Sequence, residues 1–419
     1  MTNTWQVISN MKPFIGKAWE KAQFSNPTPI QEKAIPSILE GTDVIAESPT
    51  GSGKTLAYLL PILDKIDTEK KDVQAVVLAS SHELVMQIFQ EFQKWSEGSD
   101  IYGASFIGGA NVKRQLEKLK NRPQIIFGTP GRVLELIKQK KIKMHEVKTV
   151  VLDEGDQLLV PEHINTMKDI IKSTLRDRQI LLFSATVTKE AEAILNNIVT
   201  EDALIIRVER AEISAGVEVE HIYFVSEPRE KIELIAKLSR LKGIRGLVFV
   251  RDIGNLHVLA EKLKFKGVDL SMLHSDANKM DRQAALTDFR SGKTSLLLAT
   301  DVAARGLDIQ GITHVIHYDL AKDLTEYTHR SGRTGRLGST SMGTVVSIVN
   351  DRELRILKQY ARELNVTVQE KDFYRGELID KKKFVKKPEV AARKRPTGAS
   401  KSPVNAKKKK TASHKKTRG

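Results

Sequence analysis

Nearly continuous apolar runs alternate with amphipathic stretches along most of this 419-residue chain. In the first half the runs are DVIAES (43–48), AVVLAS (75–80), SFIGG (105–109), QIIFGT (124–129), TVVLDE (149–154) and QILLFSAT (179–186). A strand that is apolar on both sides belongs inside a parallel sheet covered on both faces. Between the runs lie segments with helical spacing, such as HELVMQIFQEFQKW (82–95) and GRVLELIKQKK (131–141). This alternation predicts an α/β fold with helices on both faces of a parallel sheet. The rhythm restarts after residue 217, with HIYFV (221–225), GLVFV (246–250), SLLLAT (295–300), HVIHYD (314–319) and GTVVSIV (343–349). The stretch between the halves, RVERAEISAGVEV (207–219), is polar and weakly patterned. The expected organisation is a first domain over 1–207, a linker over 208–217, a second domain over 218–372 and a tail over 373–419.

Charge sharpens this division. The formal net charge is +16. From Lys381 to the end the chain holds 16 Lys or Arg and one acid, Glu389, leaving 52 basic against 51 acidic groups in the other 380 residues. A near-neutral body with a polycationic tail points to a polyanionic partner. The tail, low in complexity and rich in Lys, Ala, Ser, Thr and Pro, cannot bury enough apolar surface to fold alone. Cysteine is absent, which excludes disulfides and thiolate metal sites. The N-terminus shows no cleavage pattern, and the run Leu56 to Leu63 contains a proline and is too short to cross a bilayer. A soluble, cytoplasmic protein is expected.

Two segments carry recognisable chemistry. SPTGSGKT (48–55) follows a strand and opens an apolar helix, as a phosphate-binding loop does. There Thr50, Gly51, Ser52 and Gly53 let backbone N–H groups approach phosphate, Lys54 pairs with the β- and γ-phosphates, and the Thr55 hydroxyl reaches Mg²⁺. The strict pattern has glycine where Ser48 stands. About a hundred residues later, VVLDEGDQLL (150–159) ends a strand in Asp153 and Glu154. Asp153 is assigned to the metal and Glu154 to activation of the attacking water. These assignments make the chain an ATP hydrolase using ATP and Mg²⁺.

With these pieces in place, the chain resembles the DEAD-box ATP-dependent RNA helicases of superfamily 2 in motif after motif over roughly residues 10–370. FSNPTPIQ (24–31) resembles the family's Q motif, which implies Phe24 against the adenine, Thr28 near the phosphate loop, Gln31 on the adenine edge and Phe14 as an isolated upstream aromatic. FSAT (183–186) resembles the motif whose hydroxyls, here Ser184 and Thr186, couple nucleotide state to RNA, together with Asp156 and His329. LATDVAARGLDI (298–309) implies Thr300 and Asp301 toward RNA, and Arg305, Gly306 and Asp308 toward nucleotide. HRSGRTGR (329–336) implies Arg333 and Arg336 as arginine fingers on the γ-phosphate. The resemblance implies two RecA-like parallel-sheet domains in tandem, joined by a short linker and followed by a basic disordered tail.

The same resemblance places RNA on Gly108, Gly109, Thr129, Pro130, Gly131 and Arg132 in the first lobe and on Arg251, Arg282 and Thr300 in the second. Contacts of this kind read phosphate and sugar, so binding is expected to ignore base sequence. The implied activity is local duplex separation driven by ATP hydrolysis. The alternative is remodelling of RNA–protein complexes, or annealing, without unwinding. A compact core with a lysine-rich tail is similar to bacterial members that act in ribosome assembly or in the cold, with ribosomal RNA as the implied partner. The tail is expected to tether the core to structured RNA through phosphate charge. Several positions depart from the family pattern. Gly155 stands where alanine is usual, giving Asp153-Glu154-Gly155-Asp156. Ser48-Pro49 replaces alanine and glutamine. Ser80-Ser81-His82-Glu83-Leu84 replaces Pro-Thr-Arg-Glu-Leu, and Ser275 and Lys279 replace glycine and glutamine while Arg282 is kept. With Gly155, Asp156 is expected still to bond across to the Ser184 motif, and the added backbone freedom to weaken coupling rather than abolish it.

Overall fold

The computed structural model describes residues 5–24, 26–109, 112–187, 189–195, 197–209, 212, 219–304, 309, 311–335 and 342–381. Gly306, Asp308 and Arg336, the tail beyond Lys381 and most of the expected linker lie outside the described residues. So does Arg305.

The first lobe is built on β1 (Val44–Glu47), β2 (Ala75–Ala79), β3 (Gly103–Phe106), β4 (Ile125–Gly128), β5 (Thr149–Asp153), β6 (Gln179–Ser184) and β7 (Leu204–Arg207). Among the described residues they form one sheet in the order β3-β4-β2-β5-β6-β1-β7, with every pairing parallel. Alternate residues of the same strand face opposite cores. Val44, Ala46, Ala75, Val77 and Ala79 pack on one face; Ile45, Val76 and Leu78 pack on the other. That two-sided burial is why these strands read as unbroken apolar runs.

The second lobe repeats the plan with β8 (Val219–Val225), β9 (Gly246–Phe249), β10 (Leu270–Leu273), β11 (Leu296–Ala299), β12 (His314–His317) and β13 (Gly343–Val349). It runs further than the sequence pattern indicates. Strands β14 (Val368–Tyr374) and β15 (Glu377–Asp380) extend the sheet to the order β10-β11-β9-β12-β13-β8-β14-β15. The segment assigned to the tail from residue 373 therefore includes an edge strand, and β15 pairs antiparallel with β14. Its alternation is hard to see because six of the 13 residues over 368–380 are charged: Lys371 pairs with Glu220 and Asp380, and Lys381 with Glu370. Apolar anchorage is local, through Phe373 stacked on Phe224 at 5.6 Å.

Register sets the position of the chemistry. Glu47 lies opposite Ser184, Ala79 opposite Asp153, and Asp153 opposite Phe183. The segments that leave β1, β2, β5 and β6 therefore emerge side by side at the carboxyl edge of the sheet, where open α/β sheets bind ligands.

Candidate nucleotide and nucleic-acid site

The phosphate loop is shaped by two glycines with left-handed backbone, Gly51 (φ 77°) and Gly53 (φ 93°). At Gly53 a side chain is excluded twice over. A Cβ there would sit 2.7 Å from Gln31 Nε2 and 2.9 Å from Thr28 Oγ1. The reason is that the Gln31 side chain is committed to the loop: its Nε2 donates to the Gly53 carbonyl (3.3 Å) while its Oε1 accepts from the Thr28 N–H (3.0 Å). Gln31 is buried and thus fastens the N-terminus of helix Pro29–Glu40 to the start of helix Lys54–Lys65. Phe24 lies beside this joint, half-exposed, at 5.2 Å from Trp19 and stacked on Trp95 at 6.0 Å. Phe14 packs partly buried against the same core.

Ser48, one of the departures, has a partner inside the loop: its hydroxyl donates to Ser52 Oγ at 2.7 Å, with both residues buried. Lys54 Nζ donates to the carbonyls of Ser48 (2.6 Å) and Pro49 (2.9 Å). Burial lowers the Lys54 pKa, and the carboxylates of Asp153, Glu154 and Asp156 oppose that shift. Arg333 of the second lobe adds to the lowering of the Lys54 pKa.

Asp153 is buried at the end of β5. Its Oδ2 accepts from the Tyr58 hydroxyl at 2.8 Å and its Oδ1 from the Glu154 N–H at 2.9 Å. Burial, then repulsion from Glu154, pushes its carboxyl up to about 6; Tyr58 and Lys54 pull the other way. Tyr58 is itself raised well above its ordinary value, by burial first and then by the Asp153 charge. Tyr58 was not singled out from the sequence. It lies one helical turn beyond Lys54, on the same face of the same helix, and that spacing was the available signal. Glu154 follows with φ 51°, a left-handed conformation that costs a non-glycine residue of order 1 kcal/mol. Its Oε2 accepts from the Ser80 hydroxyl at 3.0 Å.

Gly155 is explained by packing. A Cβ at this position would lie 2.7 Å from Cγ and from Cδ1 of Leu182 on β6. The missing methyl leaves Asp156 bonded across to Ser184, as expected from the sequence. Asp156 accepts from the Ser184 hydroxyl at 2.6 Å and lies 3.0 Å from His329 Nε2 on the second lobe. Burial disfavours its charge, but His329, Ser184 and Gln157 outweigh burial and hold the Asp156 carboxyl below the usual range. Thr186 lies next to this network, its N–H 3.4 Å from Ser184 Oγ. A second bridge between lobes runs from Thr50 Oγ1 to the Gly332 carbonyl (3.1 Å). There a Cβ on residue 332 would fall 1.6 Å from Thr50 Oγ1, so only glycine fits the seam.

Motif residue Arg330 was also passed over by the sequence reading. It is 3 % exposed; its Nε and Nη2 donate to Asp301 (2.7 and 2.5 Å), Nη2 to Glu326 (2.6 Å) and Nη1 to the Asp319 carbonyl (2.7 Å). Asp301 is therefore occupied by Arg330 in this structure. The residues assigned to RNA form two groups. Gly108 and Gly109 follow β3 and lie against the His82 ring, while Thr129 precedes helix Pro130–Lys138, which carries Gly131 and Arg132. The Arg132 side chain is 9 % exposed, 3.4 Å from Glu135, and its buried Nη1 has no hydrogen-bond partner among the described residues. In the second lobe Arg251 and Thr300 leave the carboxyl ends of β9 and β11. Arg282 does not stand open: its Nη2 donates to Glu83 of the first lobe at 2.5 Å.

Comparison with known proteins agrees with this arrangement. The sequence matches the DEAD/DEAH box helicase family over residues 28–194 and the helicase conserved C-terminal domain over 230–338. It is 55% identical over 381 residues to a Bacillus subtilis protein named as a probable ATP-dependent RNA helicase, YfmL, covering 91% of this chain and 100% of that one. It is 49% identical over 393 residues to the Bacillus cereus DEAD-box ATP-dependent RNA helicase CshC, covering 93% and 100%. Among solved structures it superposes on S. cerevisiae Dbp5 bound to RNA and ADP BeF3 with a TM-score of 0.77, at 29% identity, covering 86% of this chain and 94% of that one. With a phosphate loop, paired carboxylates and an arginine-bearing second lobe meeting at one seam, the chain belongs to the DEAD/DEAH box helicase family.

Proposed function

We propose that this chain is an ATP-dependent RNA helicase that binds RNA across both lobes and separates duplexes locally. The observation that carries the reading is the seam: Lys54, Asp153, Glu154 and Asp156 from one lobe meet His329 and Arg333 from the other. Phosphate would displace the carbonyls that now hold Lys54. Thr55 and Asp153, both hard oxygen donors, would hold Mg²⁺, which supplies positive charge to the β- and γ-phosphate oxygens. A buried carboxyl raised to about 6 gains from such a counter-charge, which supports Asp153 in this role. Glu154 accepts a proton from the attacking water, and Arg333 with Arg336 meets the charge that develops on the transferred γ-phosphoryl group as ADP leaves. Gly306 and Asp308 complete the nucleotide side of this proposal, and Thr28, Gln31 and Phe24 its base end.

RNA lies on the Gly108-Gly109 turn, the helix start at Thr129–Arg132, and Arg251, Arg282 and Thr300. The buried, unfilled Nη1 of Arg132 supports a phosphate there, since an unpaired buried donor costs free energy until it finds an acceptor. The Ser184–Asp156–His329 chain links nucleotide state to lobe closure. Local strand separation rather than long-range travel follows from a clamp that closes once per ATP. An RNA substrate and a cysteine-free chain suit the cytoplasm, and the Asp-Glu-Gly-Asp form of the motif is compatible with full coupling.

The test is RNA-stimulated ATP hydrolysis measured beside strand separation of a short RNA duplex. Glu154→Gln is expected to abolish turnover while RNA stays bound in the presence of ATP. Full turnover in that variant would remove the assignment of Glu154. Turnover without strand separation in the wild type would favour protein displacement as the activity.

A further inference from the structure

We propose that Ser80 is a positioning residue for Glu154, fixing one oxygen of the water-activating carboxylate. The inference rests on the reading of Glu154 given above. Parallel register brings the two residues together: Ala79 lies opposite Asp153, so the residue after each strand end faces its neighbour across the carboxyl edge. There the Ser80 hydroxyl donates to Glu154 Oε2 at 3.0 Å. Glu154 needs such an anchor more than most carboxylates do. It sits at φ 51°, outside the basins that ordinary residues favour, at the turn between β5 and the short helix Gly155–Leu158. With Oε2 held, Oε1 is the oxygen left for the proton of the attacking water.

The adjacent carboxylate is held in the same manner but from the opposite side: Tyr58 of helix Lys54–Lys65 fixes Asp153, and Ser80 of the β2 edge fixes Glu154. Next door, Ser81 performs a separate task. Its hydroxyl accepts from the Leu84 N–H at 3.1 Å and caps helix His82–Trp95. The two adjacent serines therefore divide the work: one caps the helix and one holds the carboxylate.

The experiment is steady-state ATP hydrolysis at saturating RNA by the full chain with Ser80→Ala and Ser80→Thr. A charge-assisted hydrogen bond that organises the base is expected to be worth about tenfold in kcat. Ser80→Ala should lower kcat by about that factor with the KM for ATP within about twofold of wild type. Ser80→Thr, which retains the hydroxyl, should restore it. RNA retention with a non-hydrolysable ATP analogue should be the same in all three proteins. An unchanged kcat in Ser80→Ala overturns the proposal, as does a loss shared equally by the alanine and threonine variants. Glu154→Gln run alongside separates two kinds of failure. If that variant keeps turning over, the reading of Glu154 itself is wrong; if it is inactive while Ser80→Ala is normal, only the role of Ser80 falls.

Discussion

The two lobes carry opposite charge to the seam and hold it by different means. In the first lobe three carboxylates surround Lys54, and hydroxyls hold them: Tyr58 on Asp153, Ser80 on Glu154 and Ser184 on Asp156. In the second, the buried Arg330 is held by the carboxylates of Asp301 and Glu326. A neutral donor orients an acid without cancelling its charge, so the first lobe keeps negative charge available for a cation. The upward shift of Asp153 is the cost of keeping it. An acid beside a guanidinium orients and neutralises it together. Arg330 therefore acts as scaffolding, pinning helix Leu324–Ser331, whose end presents His329 and leads into Arg333.

The largest effect should come from breaking the second lobe's arrangement. Arg330→Ala leaves the partly buried Asp301 and Glu326 without their shared partner and also removes the guanidinium from the face of Phe249, 4.9 Å away. Loss of one side of a buried ion pair costs about 3–5 kcal/mol. Urea unfolding should show that loss. Tyr58→Phe, the matching deletion in the first lobe, should cost less, about 1.5–3 kcal/mol, because the buried Asp153 loses one hydrogen bond but keeps Lys54 as a counter-charge. Equal losses in the two variants would erase the contrast.

Next in size is the Asp153 charge itself. Its carboxyl in the fold is raised to about 6, above the ordinary value of 3.8. The folded protein therefore binds the proton more tightly than the unfolded chain between those values. Stability of the nucleotide-free protein from this group is greatest below about pH 4 and falls as pH rises toward 6. Asp153→Asn removes the cost of ionisation while keeping an acceptor for Tyr58. It should stabilise the nucleotide-free protein at pH 7 by at most about 2–3 kcal/mol, an upper bound because Lys54 loses a counter-charge. At pH 4 the variant and the wild type should unfold at similar denaturant concentrations. A variant that is less stable than wild type at pH 7 would show that the raised carboxyl is not a burden on the fold.

Much of this arrangement was legible in the sequence because it lies in contiguous strand-turn-helix units. The apolar runs pointed to both sheets, the strand-turn-helix units to Lys54, Asp153 and Glu154, and the family resemblance to Asp156. What was not legible lies between segments. Tyr58 meets Asp153 across 95 positions, and Arg330 meets Asp301 across 29, contacts that no local pattern announces. The strands at 368–380 were obscured for another reason: an edge hairpin stabilised by Lys–acid pairs has the composition of a polar tail. Gly155 was visible as a departure, but its cause was three-dimensional.

That cause makes Gly155→Ala the next prediction. The added methyl would overlap Leu182 near its branch point, which cannot swing clear as a flexible chain end would. Overpacking of this kind costs about 1–3 kcal/mol. Combining Gly155→Ala with Leu182→Val should recover much of the loss, since the contact is shared. If the single variant is neutral, the glycine has no packing reason and backbone freedom returns as its explanation.

The smallest expected effect tests whether charge across the lobes follows the second lobe's rule. Arg282 of the second lobe and Glu83 of the first are partly exposed, at 19% and 31% of their side-chain surface, so solvent screens the pair. A pair in that setting is worth about 0.5–1 kcal/mol. A double-mutant cycle of Glu83→Gln and Arg282→Ala, read by unfolding of the nucleotide-free protein, should return a coupling of that size that shrinks in added salt. The same cycle read by RNA affinity separates the two uses of Arg282. If the guanidinium serves RNA as well as Glu83, Arg282→Ala should weaken RNA binding even in the Glu83→Gln background, where the ion pair no longer exists. An Arg282 effect that vanishes in that background would make the residue an interlobe contact alone, and RNA would then rest on Arg251 and Thr300 in this lobe.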